Sequence, residues 1–249
     1  LKRAATRRLG EEAIHPMKAH QRPGIRTPTP WVEGGWNVYL NTPDEVRQRI
    51  SPLKAMSDDW LEVMAVAHRL GMASTATMMF GHVESLGQRI EHLERVRCQQ
   101  DETGGFTAFI AWTFQAENTK LKAPTVGANE YLRMQALSRI YLDNVPNIQS
   151  SWVTQGLEIG QVALKYGAND LGSILIEENV VSEAGTTFRM DVADMRRLIE
   201  GVGFEARQRD NWYQLVDGQD GHRGQKGTGR GDTFPGRSGQ SLNRSGLCQ

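Results

Sequence analysis

His82 and Glu84 stand just beyond an apolar, Thr-rich run, S-T-A-T-M-M-F at 74–80, from which Gly81 separates them. An imidazole and a carboxylate are groups that can take up or deliver a proton, provided both lie within hydrogen-bond reach of the reacting atom. A run of strand length, closed by glycine and followed by a helix start, puts such groups at the carboxyl end of a parallel strand. Open α/β sheets and β/α barrels hold their ligands there. Plainer roles stand beside this one: His82 as a packed or exposed histidine, and Glu84 as an acid favouring the helix that Ser85 opens.

Other polar side chains fall at matching places further on. Trp112, Phe114, Gln115, Glu117 and Asn118 occupy a stretch, Ala111 to about Asn129, without helical or strand period. A loop of that length inside a regular repeat is more often functional or disordered than a simple connector. Trp112 and Phe114 are also ordinary core residues. Gln149 and Ser151 alternate along an expected strand, so both side chains would point to one side, into a barrel lumen, where polar groups need a reason. Asp170, Glu177 and Asn179 come with a fourth strand and the loop after it, although Glu177 and Glu178 also read as a solvated pair. Together these residues offer a base, carboxylates, amides and aromatic faces. They suit a polar organic ligand that carries a ring.

The elements that must position them follow from hydrophobic period and punctuation. Ser57, with Asp58 and Asp59 behind it, predicts a helix start, and Trp60, Met64, Ala67 and Leu70 repeat at helical spacing up to Gly71. Strand 74–80 follows, then a helix capped by Ser85 with Ile90, Leu93 and Val96, then Gly104–Gly105. A second strand is expected at 106–110, a helix at 131–142, a third strand at 147–152 and a helix at 155–166. A fourth strand is expected at 170–176. Asp191 with Asp194 opens a helix to Glu200, and 204–208 with 212–216 read as a closing hairpin or as terminal strands. Strand and helix alternate about four times, which argues for parallel βαβ units in an α/β fold.

Composition narrows the partners. The 249 residues hold 29 Lys and Arg against 29 Asp and Glu, so no net field favours nucleic acid or an anionic membrane. No apolar run is long enough to span a bilayer. Two cysteines, Cys98 and Cys248, are too few for a disulfide framework, a zinc site or an iron–sulfur cluster, and such usage suits a reducing cytoplasm. There is no phosphate-binding loop, nucleophile elbow or zinc-protease motif. Residues 1–42 read as an irregular leader, and 217–249 as a Gly/Arg/Ser-rich tail too polar to order itself.

Several longer words occur in order: T-A-T-M-M-F-G-H-V-E-S (75–85), D-E-T-G-G-F-T-A-F-I (101–110), W-T-F-Q-A-E-N-T (112–119), N-I-Q-S-S-W-V-T-Q-G (147–156), G-A-N-D-L-G-S (167–173) and E-E-N-V-V-S (177–182). Between about Pro43 and Val216 the chain resembles the radical S-adenosylmethionine enzymes of the futalosine menaquinone pathway, the cyclic dehypoxanthinyl futalosine synthases among them. Aminofutalosine synthase and deazaflavin synthase are similar. The resemblance implies the carboxyl-terminal half of a radical-SAM type β/α (TIM-like) barrel, spanning 43–216, that handles a nucleoside-like small molecule. It implies a [4Fe–4S] cluster, S-adenosylmethionine and a reductant protein for the intact enzyme. The cyclisation that it implies loses a proton and needs a base, for which position nominates His82 or Glu84. Thr77, Trp112, Gln149, Ser151, Asp170, Glu177 and Asn179 would contact substrate. The chain departs from the family pattern at one decisive place: the C-x-x-x-C-x-x-C of the cluster is absent, so this chain is expected to hold no metal and to turn nothing over by itself. A ligand-binding half barrel without catalysis is the alternative of a different class.

Overall fold

The computed structural model describes residues 44–50, 55–117, 119–174 and 188–216. Within them the order is α1 (Asp44–Ile50), α2 (Ser57–Arg69), β1 (Ser74–Phe80), α3 (Leu86–Thr103), β2 (Phe106–Thr113), α4 (Ala128–Tyr141), β3 (Asn147–Gln149), α5 (Trp152–Gln155), α6 (Leu157–Ala163) with a 3₁₀ turn at Leu164–Tyr166, and α7 (Val192–Gly201). The three strands form one parallel sheet in the order β1-β2-β3. This is the α/β alternation that the hydrophobic period predicts.

Local chemistry sets the boundaries. Ser85 caps α3 through a reciprocal box: its hydroxyl accepts from the Gln88 amide at 3.3 Å, and the Gln88 side chain accepts from the Ser85 amide at 2.8 Å. Gly104 ends α3 in the left-handed region at φ 62°, which costs glycine little. The Gln100 side-chain amide then bonds both the amide and the carbonyl of Phe106 and sets the start of β2.

The start of α2 differs from the expectation. Ser57 is its first helical residue, not its cap; the Ser57 amide donates to Asp44 Oδ1 at 2.8 Å, and its hydroxyl bonds the same oxygen. A carboxylate supplied by α1 therefore caps α2 from outside the local sequence. Burial pushes the Asp44 pKa up, but the Ser57 hydroxyl and amide, with Arg47, more than offset it and hold the carboxyl below its ordinary range. Leu70, expected on the buried stripe, is exposed because α2 has ended at Arg69.

Register fixes which side chains share a face. Ala76, Met78 and Phe80 alternate with Thr75, Thr77 and Met79, and Phe109 with Ile148 pairs onto the first set. The core lies between that face and the helices: Met64 of α2, Leu93 and Val96 of α3, Tyr131 and Met134 of α4, and Ala163 of α6 all belong to it. Fully burying each such large side chain contributes about 1.5–3 kcal/mol.

Three strands also depart from the expected bounds. β2 runs on to Thr113, so Ala111–Thr113 belong to the sheet and not to a loop. β3 stops at Gln149, and Trp152–Gln155 turns into a short helix, separated by Gly156 from α6. The expected fourth strand is reduced, within the described residues, to one parallel bridge, Gln149 to Asp170. The chain divides after Ala206 into a second unit. There Arg209 and Leu215 make an antiparallel bridge, the Val216 amide bonds the Gln208 carbonyl, and Arg209 stacks on Tyr213. The expected closing hairpin thus shrinks to a tight turn.

Candidate functional site

At the carboxyl end of β1 the chain must turn away from the sheet, and Gly81 does so at φ 89° with no room for a side chain. A Cβ placed there would lie 1.9 Å from Val126 Cγ2. The turn is closed by Glu84. Its carboxylate accepts from the Gly81 amide at 2.6 Å, the His82 amide at 2.9 Å and Arg89 Nε at 2.8 Å, and it lies 2.7 Å from His82 Nδ1. Burial opposes the charge, yet the His82 ring and the two amides bring the Glu84 pKa down to about 2. A carboxylate so well supplied with donors is a weak base. It is a keystone for the turn.

The His82 ring is held from three sides. Beyond Glu84, its Nε2 faces the Met79 carbonyl at 3.2 Å, and the Phe114 ring meets it edge-on at 5.8 Å. Phe114 is fixed in turn by its amide, which donates to the Phe80 carbonyl at 2.8 Å and carries β2's pairing one step past the strand. Both His82 and Glu84 are therefore where the sequence put them, at the end of a parallel strand.

The sheet gathers the other candidates. Thr77 pairs with Ile110, Ile110 with Gln149, and Gln149 bridges to Asp170, so Thr77, Gln149 and Asp170 lie in one row across the strands. Met79 pairs with Trp112 one row nearer the carboxyl end. Trp112 is thus a strand residue on the face of Thr77 and not a loop residue. Asp170 Oδ1 accepts the Gly172 amide at 3.0 Å, which turns the chain directly against the Gln149 side chain.

Ser151 is the exception. The strand ends at Gln149, so Ser151 lies in the turn between it and α5 and not in the strand. Its amide donates to the Tyr131 hydroxyl at 2.8 Å and its own hydroxyl pairs with Thr154 Oγ1 at 2.9 Å, inside the wall formed by α4 and α5. Glu177, Asn179 and Asn118 lie outside the described residues. Sequence reasoning named Gln115 but not its meeting with Gln155 at the end of β2, where Gln155 Nε2 at 2.8 Å and Gln115 Nε2 at 3.0 Å both reach Thr113 Oγ1. Gln115 and Gln155 are glutamines in two of the long words of the sequence; only their shared parallel-strand end links them.

No group of three or more His, Cys, Asp or Glu able to hold a metal occurs among the described residues. None of their helices is long and apolar enough to cross a membrane.

Residues 103–220 match the family described as the CofH/MqnC C-terminal region. The CofH/MqnC region thus takes in β2, the Gln115 and Gln155 cluster, β3 and the Asp170 bridge. The chain is also 50% identical over 173 residues to the cyclic dehypoxanthine futalosine synthase of Streptomyces coelicolor, covering 69% of this chain and 43% of that protein. It is 43% identical to a 5-amino-6-(D-ribitylamino)uracil--L-tyrosine 4-hydroxyphenyl transferase of Methanoculleus marisnigri, over 70% of this chain and 50% of the relative. It is 39% identical to the aminodeoxyfutalosine synthase of Thermus thermophilus, over 74% and 50%. The chain spans about half the length of the curated relatives it matches.

Proposed function

We propose that this chain is the carboxyl-terminal, substrate-facing half of a radical S-adenosylmethionine β/α barrel that cyclises dehypoxanthine futalosine in menaquinone biosynthesis. The observation that carries the reading is the ranking of the relatives: identity is higher to the dehypoxanthine futalosine synthase than to the hydroxyphenyl transferase or the aminodeoxyfutalosine synthase. The row Thr77–Gln149–Asp170, with Trp112 beside it, supports a site for a polar ligand with a ring.

The family reaction draws its radical from a [4Fe–4S] cluster with S-adenosylmethionine, fed in the intact enzyme by a reductant protein. Cys98 and Cys248 do not fit that cluster: they supply two thiolates at most, and not in the spacing of a cluster motif. The roles of this chain are therefore to bind, to orient and to move a proton. Trp112 stacks on the aromatic ring, and Thr77, Gln149 and Asp170 hydrogen-bond the sugar and polar edges. Glu177, Asn179 and Ser151 complete the proposed set of substrate contacts. Of the two base candidates, Glu84 orients the ring and His82 accepts the proton lost on cyclisation, because a carboxyl with a pKa of about 2 takes up little at neutral pH.

Thermal unfolding with three ligands tests this. Dehypoxanthine futalosine at a hundredfold excess over its Kd should stabilise the chain by about 2.7 kcal/mol. Stabilisation by 5-amino-6-(D-ribitylamino)uracil or aminodeoxyfutalosine in its place would overturn the assignment.

A further inference from the structure

The turn that holds His82 is joined to a second segment by more than packing. Arg89, in the first turn of α3, puts Nε on Glu84 Oε1 at 2.8 Å and Nη1 on Glu130 Oε1 at 2.6 Å. Its side chain is 12% exposed, with the guanidinium carbon 4.8 Å above the Phe80 ring. Glu130 lies in the first turn of α4, directly after the segment that follows β2. That segment meets the 81–84 turn at both of its ends: Phe114 packs on the His82 ring and Val126 packs on Gly81. Glu84, Arg89 and Glu130 thus form a line of ion pairs from the His82 turn at the end of β1 to the start of α4, with His82 Nδ1 against Glu84.

We propose that Arg89 and Glu130 are positioning residues: one guanidinium sets both the His82 turn and the return of the 114–127 segment into α4, so that these two walls of the ligand end are held in register. The proposal rests on the reading of this end of the sheet as the ligand end. Geometry favours it over a simple helix-end contact. Glu130 would favour the start of α4 without any partner. Arg89, by contrast, spends its fork on two carboxylates from different elements, and Glu84 is 5% exposed. A nearly buried carboxylate that loses a charged donor loses more than a surface pair would.

The test is local hydrogen exchange together with the ring-nitrogen NMR signals of His82, recorded on the full chain and on Glu130→Gln, Arg89→Lys and Arg89→Met. Glu130 is one guanidinium removed from Glu84, so its neutralisation reads transmission and not contact. The expected result for Glu130→Gln is a shift of the His82 ring signals and exchange of the Gly81 and His82 amides about tenfold faster. The Phe106 amide, at the other end of the sheet, should stay unchanged. Arg89→Met should exceed that effect and Arg89→Lys should recover part of it. Glu130→Gln leaving the His82 signals and both amides as they were would overturn the proposal, as would an equal acceleration at Phe106, which would mean global loosening. Should Arg89→Met fail to fold, Glu130→Gln and Arg89→Lys still decide. The readout uses no ligand, so it is independent of whether the chain binds a futalosine.

Discussion

Two buried titratable side chains, one held charged and the other held neutral, both make the fold lose stability as pH falls. Glu84 is wanted charged. Its pKa falls from an ordinary 4.5 to about 2, so its contribution is complete above about pH 4.5 and disappears as pH drops from there towards 2. Glu84→Gln keeps the shape, loses the charge and should cost about 1.5–3 kcal/mol at neutral pH, read from the denaturant midpoint. His92 is wanted neutral. It is buried on α3 beside Phe109, with no hydrogen-bond partner on either ring nitrogen among the described residues. Burial first, then Arg47 and Arg95, lower its pKa from 6.5 to about 3. The unfolded chain takes up that proton first, so stability is full above pH 6.5 and falls as pH drops towards 3, by at most about 1.4 kcal/mol per pH unit. His92→Leu should flatten the stability profile between about pH 6.5 and 4.5 and leave the Glu84 slope from there towards pH 2. A profile unchanged by His92→Leu would contradict the burial account.

At the scale of elements, glycines with positive φ give a graded set of expectations. Gly104 has open space around its missing Cβ, so Gly104→Ala should cost only the left-handed backbone penalty, about 1 kcal/mol. Gly81→Ala adds a collision with Val126 and should cost clearly more, with the 114–127 segment losing protection from exchange. Equal costs would mean that the close approach of Val126 does not hold in solution. The same elements show what a linear reading can and cannot see. Strand 74–80, the Ser85 cap, the Gly104 stop and the Asp191 cap of α7 are local events, written in neighbouring residues, and they were legible. The cap on α2 was not, because its carboxylate comes from Asp44 across another helix. The extension of β2 to Thr113 was hidden because Trp112 and Thr113 take their pairing from Met79 and Phe80, not from any period of their own. Ser151 read as a strand residue because alternation alone does not reveal that Tyr131 captures its amide. Arg89 carried no signal at all: its meaning lies in two carboxylates, one five residues before it and one on a different helix.

For the whole molecule, the sheet's register is what brings scattered words of the sequence into one row. Thr77, Gln149 and Asp170 come from three separate stretches, yet they share one row, with Ile110 of β2 between Thr77 and Gln149. The cysteine content separates binding from radical chemistry: the chain prepared alone should take up no stoichiometric [4Fe–4S] cluster, and iron with sulfide in that ratio on this chain would contradict it. The most direct test of the central claim is a chimera in which residues 43–216 replace the matching segment of the Streptomyces coelicolor relative. The chimera is reconstituted with its cluster and assayed for cyclisation of dehypoxanthine futalosine. The account predicts the cyclic product, lost in the His82→Gln chimera. A folded, cluster-loaded chimera that cleaves S-adenosylmethionine to 5′-deoxyadenosine yet forms no cyclic product would mean that this segment serves another substrate.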